Sequence, residues 1–168
     1  MCVFFIPTGI VVVYLSFKCS TTSEKIAEKG NNEKFLQISF SATSDSLSEV
    51  DTYNYFARTV APNMAQGIAV ANLLENLGLV PYVTVVYFED GGYSVGLKDH
   101  FVDAWTVTDH HVVLREVEVE EYHMDEVVAA IAASGAPVVV LFLYADQVNE
   151  FFEVASSHHV SREQFIFS

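Results

Sequence analysis

Basic residues are scarce in this chain. Eight Lys and Arg stand against 22 Asp and Glu, a formal net charge of -14. A chain this acidic lacks the basic footprint that a phosphate backbone requires, which excludes nucleic acid as a partner. The acidity names no partner of its own, because surplus carboxylates mostly keep a surface soluble. Cysteine is nearly absent: Cys2 and Cys19 lie near the start, without CxxC spacing or a distant partner, so they support neither a disulfide framework nor a zinc site. Gly91-Gly92 is followed by no Gly-Lys-Ser/Thr and fits no GxGxxG pattern, which leaves a nucleotide without a phosphate cradle. No Ser, His and acid combination stands in a nucleophile setting, and no cofactor is expected. His110-His111 and His158-His159 are adjacent pairs. Neighbours on a strand point to opposite faces, so neither pair makes a local two-ligand metal site.

A membrane-spanning run is also missing. Met1 to Phe17 carries no charge, but it is just short of a spanning helix and is interrupted by Pro7 and Gly9. A signal peptide would need a basic n-region and a clean small-residue cleavage site, and neither is present. The β-branched run Ile10 to Leu15 fits a buried parallel strand better.

What is present is a core. Hydrophobic residues make up 51% of the 168 and aromatics 13%, enough to exclude a disordered tail. After the first strand, Glu24 to Lys29 reads as a helix with Thr22 or Ser23 as N-cap, ended by Gly30-Asn31-Asn32. Phe35 to Phe40 is the next strand. Tyr53 to Val60 follows as another apolar run. Pro62-Asn63 opens a helix through Met64 to Leu77, closed by Gly78 and apolar enough to be packed on more than one face. Pro81 to Phe88 and Pro137 to Tyr144 are nearly continuous apolar runs, the mark of central parallel strands. Between them lie a helix with Leu97, Phe101 and Trp105 spaced by four, a strand at Val112 to Val117, and a helix at Asp125 to Ser134 stopped by Gly135. A helix from Asp146 and a last strand at Gln164 to Phe167 complete the chain. Glu116, Glu118 and Glu120 alternate along a strand end and suit a solvated edge. This alternation predicts an α/β fold, a parallel sheet with helices on both faces and right-handed crossovers.

The polar stretch Ser41-Ala42-Thr43-Ser44 offers three hydroxyls and several backbone N–H groups within four residues. Such a loop can hold a carboxylate without a full positive charge, and the same composition also suits a plain turn. In open parallel sheets ligands bind beyond the carboxyl ends of the strands. The loops after Leu15, Phe40 and Phe88 supply Ser20, Ser41 with Thr43, and Tyr93 there.

Gln37-Ile-Ser-Phe-Ser-Ala-Thr-Ser44, the Asp/Leu/Ser segment to Asp51, and Tyr55-Phe-Ala-Arg-Thr-Val-Ala-Pro62 resemble the extracellular ligand-binding region of class C G-protein-coupled receptors. That group includes the metabotropic glutamate, calcium-sensing and type B gamma-aminobutyric acid receptors. The resemblance covers roughly Val11 to Phe167 and implies a two-lobed clamshell similar to periplasmic amino-acid-binding proteins. It implies that residues 1–60 hold the end of lobe one and the crossing segment, and residues 61–168 the first half of lobe two. It further implies a non-catalytic receptor region on the outer face of the plasma membrane, meeting the membrane only through a parent receptor, with a small amino-acid-like ligand. Ser20 and Ser41 would face the ligand carboxylate, Thr43 would bridge carboxylate and amine, and Tyr93 would come from the second lobe. Asn63 departs from the pattern: glutamate receptors place an Asp there to balance the ligand amine, and a neutral Asn also suits the N-cap of the next helix. Tyr93-Ser94 replaces the usual Tyr-Gly pair, and Leu79 an aromatic.

At this length the chain is too short for a complete clamshell. The expectation is therefore of weak amino-acid binding, about millimolar or worse, and of self-association through an unfinished sheet and apolar helix faces such as Phe151 and Phe152. Two rivals from other classes are a free-standing solute-binding protein and an enzyme on a flavodoxin-like sheet. The second would need a cofactor motif or paired titratable groups in the crevice.

Overall fold

The computed structural model of the protein describes residues 2–6, 9–16, 20–79, 83–89, 92–107, 114–119, 123–135, 137–157 and 165–167. The chain divides into two units, Met1–Ala65 and Gln66–Ser168, and the described strands form one four-stranded sheet in each. His110, His111, His158, His159 and Glu120 lie outside the described residues, as does Cys19.

In the first unit the β-branched run forms strand β2 (Gly9–Ser16). It pairs in parallel with β3 (Leu36–Ser39), which pairs in parallel with β4 (Phe56–Arg58). The other side of β2 carries a strand that the sequence did not announce, β1 (Cys2–Ile6), which folds back antiparallel with Val3 opposite Val12. The expected all-parallel sheet thus gains an antiparallel edge. The pairing sets these two strands of the uncharged N-terminal run side by side, where their backbone groups find partners in each other.

Helix α1 (Ser20–Glu33) is longer at both ends than expected. It starts at Ser20, so Thr22 and Ser23 lie inside the helix and are not its caps, and it runs through Gly30-Asn31-Asn32. The true stop is Lys34, the one non-glycine residue with positive φ among those described (φ 58). The amide of Phe35 then donates to the carbonyl of Gly30 at 3.1 Å, the Schellman closure. Gly30 serves packing, since a Cβ there would meet the Phe35 carbonyl oxygen at 3.0 Å and its ring at 3.3 Å. The face turned inward is Ser20, Ser23, Ala27 and Gly30, spaced three or four apart.

In the second unit the sheet order is β6-β5-β7-β8, all parallel: β5 (Val83–Phe88), β6 (Leu114–Val119), β7 (Val138–Phe142) and β8 (Phe165–Phe167). Helix α2 (Asn63–Asn76), which crosses the boundary between the units, and α3 (Ser94–Val107) cover one face. There Leu74, Leu97, Phe101 and Trp105 pack on Val83, Val85, Val140 and Phe142. On the other face α4 (Met124–Ser134) and α5 (Ala145–Ser157) bring Val127, Val128, Ile131 and Phe151 against Val86, Val139 and Leu141. The continuous apolar strands are thus sandwiched, and every residue of β7 is buried. The fold is α/β, with helices on both faces of this parallel sheet. Phe151, expected on an open helix face, is fully buried, and Phe152 is half-buried against the same core.

Helix α2 departs from expectation in the opposite sense. Ala71 and Leu74 are buried, but Met64, Ile68 and Leu73 are exposed, as is Leu77 just past its end. It meets α3 at Gly67, where a Cβ would lie 2.8 Å from the Leu97 carbonyl oxygen and 2.8 Å from the Phe101 amide nitrogen. Only a residue without a side chain lets the two backbones approach so closely.

Candidate ligand-binding site

The Ser41–Ser44 loop is buried: Ala42, Thr43 and Ser44 all lie in the interior. A buried loop must find partners for its backbone, and two serines supply most of them. Ser39 Oγ, at the end of β3, accepts from the amides of Ser41 (3.3 Å) and Ala42 (3.0 Å). Ser20 Oγ, at the start of α1, accepts from the amides of Thr43 and Ser44, both at 3.2 Å. The carbonyls of Ala42 (3.3 Å) and Ser44 (2.8 Å) accept from the Arg58 guanidinium on β4, which also donates to Ser48 Oγ. The Thr43 carbonyl accepts from the amide of Asn63 at 2.8 Å.

This corrects the expectation that the loop presents free backbone N–H groups to a carboxylate. All four amides from Ser41 to Ser44 are held by serine hydroxyls. The donors left are the hydroxyls. Ser20 and Ser39 each accept two amides, and a hydroxyl has two lone pairs, so their remaining capacity is the O–H itself. The buried Oγ of Ser41 and Oγ1 of Thr43 have no hydrogen-bond partner among the described residues. Buried hydroxyls without partners are costly, and here they stand on one loop.

Charged side chains also hydrogen-bond to this loop and its neighbours. Glu24, on the first turns of α1, accepts from Ser44 Oγ at 2.8 Å and from Ser46 Oγ. Asp45 Oδ1 accepts from the amide of Met64 at 3.1 Å, so the carboxylate capping α2 comes from the loop. Asn63, expected as that cap, is instead the first residue of the helix and fully buried. Burial pulls the Arg58 guanidinium below its ordinary value, and Asp45 acts in the other direction. Arg58 stays charged all the same.

The structure therefore brings Ser20, Thr43 and Asn63 into one hydrogen-bonded cluster of the first unit, with Ser41 on the same loop. Tyr93 belongs to the second unit. It is half-buried and stacks on Tyr144, the ring centroids 5.1 Å apart and the planes 29° from parallel. Ser94 secures its position: the fully buried Ser94 Oγ accepts from the Phe88 amide at 2.8 Å and donates to the Phe142 carbonyl, tying the ends of β5 and β7 together. Sequence reasoning missed Ser39, Glu24, Arg58 and Tyr144. Arg58 alone left a signal, a single cation in an apolar strand just after a hydroxyl-rich loop.

No helix among the described residues is long and apolar enough to cross a membrane. The family model described as receptor family ligand binding region matches residues 1–168. Such regions are generally the extracellular, ligand-holding parts of receptors, and this chain belongs to that family.

Proposed function

We propose that the chain is the binding region of a class C-type receptor that recognises a small amino-acid-like molecule and signals, through a G protein, by lobe closure. In this reading residues 1–60 form the end of lobe one with the crossing segment, and residues 61–168 the first half of lobe two. The region is non-catalytic and stands outside the plasma membrane as part of a longer receptor. Ser20 and Ser41 donate to the ligand carboxylate, Thr43 bridges carboxylate and amine, Asn63 lies beside them, and Tyr93 closes from the other lobe. A ligand shifts the closed population only by its differential affinity for that state.

One observation carries this reading: a buried loop whose amides are all held internally while the hydroxyls of Ser41 and Thr43 have no partner among the described residues. Neutral donors of this kind satisfy a desolvated carboxylate and carry no uncompensated charge when the site is empty. The test is a titration of the 15N-labelled chain with a panel of amino acids, a readout that reaches millimolar affinities. Ser41→Ala and Thr43→Ala should each weaken binding by about 1–3 kcal/mol. Unchanged affinity in both variants would remove these hydroxyls from the site.

A further inference from the structure

The β5 and β7 strands are neighbours, yet the chain leaves them in opposite directions. From β5 it passes through α3 to β6 on one side, and from β7 through α5 to β8 on the other. The carboxyl ends of such a pair form a topological switch point, where open α/β sheets have a crevice for ligands. Tyr93 arises from the loop after β5 and Tyr144 from the loop after β7, and the two rings stack across this point. Beside them is a cleft of about 440 Å³ lined by Tyr93, Leu141, Leu143, Tyr144, Val148 and Asn149, within the size range of small-molecule sites. None of these side chains is charged at neutral pH.

The cleft is held in shape before any ligand arrives. Ser94 Oγ joins the β5 and β7 ends beneath the tyrosine pair. The Tyr144 amide donates to Gln147 Oε1 at 2.9 Å while its carbonyl accepts from Val148 at 2.9 Å, locking the start of α5. Preorganised aromatic faces favour flat or branched apolar groups. A carboxylate or ammonium moved into this lining would lose water and meet no counter-charge.

We infer that this cleft of the second unit is a site for an uncharged aromatic or branched aliphatic group of a small molecule, with Tyr144 as a specificity residue. The choice of amino acids as probes rests on the reading above, while the cleft itself belongs to the second unit alone.

The experiment titrates the 15N-labelled chain with Phe, Leu, Ala, Glu and Lys, and separately with benzyl alcohol, a probe without amino or carboxyl groups. Phe and Leu should bind about tenfold or more tighter than Ala, Glu or Lys, and benzyl alcohol should shift the Tyr93 and Tyr144 signals. Tyr144→Ala should bring the Phe-to-Ala affinity ratio to about one, and Tyr144→Phe should keep the preference. Equal or tighter binding of Glu or Lys, or a Phe preference that survives Tyr144→Ala, overturns the inference and leaves the amino-acid reading standing. Binding of benzyl alcohol without any amino acid overturns that reading and supports the apolar cleft. No response at either tyrosine to any compound overturns the cleft.

Discussion

Ser20 Oγ accepts the amide of Thr43 at 3.2 Å across 23 positions of sequence, and the bond is buried. It joins the first residue of α1 to the loop after β3, and with the matching bond from Ser44 it fixes how that loop presents its hydroxyls. Ser20→Ala leaves two buried amides without their acceptor. The expected loss is about 1–3 kcal/mol of stability, measured by urea unfolding. A loss below about 0.5 kcal/mol would mean that the loop relaxes to find other acceptors.

Arg58 holds the outer side of the same loop through the carbonyls of Ala42 and Ser44. Arg58→Met keeps much of the apolar stem and removes the donors. It should cost about 1–2 kcal/mol, discounted for a half-exposed group, and speed hydrogen exchange between residues 41 and 48. Arg58→Lys should recover only part of this, because an ammonium lacks the planar fork. Full recovery with Lys would show that charge alone matters.

Helices α1 and α2 end in the same closure. Phe35 donates to Gly30 and Leu79 to Leu74, but the left-handed position is Lys34 in one and Gly78 in the other. Relieving the Cβ strain at Lys34 should outweigh the entropy that glycine adds to the unfolded chain. Lys34→Gly is therefore expected to raise stability by about 0.5–1 kcal/mol. A lower urea midpoint in the variant would contradict this.

Tyr53 packs against Ala27, Ala42 and Leu47. Burial raises its phenol above the ordinary value, and Glu24, Glu28 and Glu49 add to the shift. The folded state thus favours the neutral phenol. That contribution is complete below the unfolded value near pH 10 and is lost as pH rises through the higher folded value. Urea midpoints should fall more steeply above about pH 10 for the parent chain than for Tyr53→Phe. Parallel curves would show that Tyr53 is solvated in the folded state.

The sequence alone determined the αβ alternation, the buried character of β5 and β7, the stop at Gly78 and the inward Leu97, Phe101 and Trp105. These follow from local periodicity and backbone preference, which act over a few residues. Local rules misjudged α1, because Gly30 is there for Phe35 to pack against and Lys34 takes the strained position. They also gave no sign of β1, whose partner strand is chosen by pairing. The hydroxyl-rich loop was legible as composition. Only the tertiary structure decided which of its donors are occupied: the amides go to Ser39 and to Ser20 on another element, while the Ser41 and Thr43 hydroxyls are left over. The stacking of Tyr93 on Tyr144 was likewise decided by sheet order. Hydrogen bonds and ring contacts between groups tens of residues apart depend on how elements are packed, and periodicity along the chain carries no record of that.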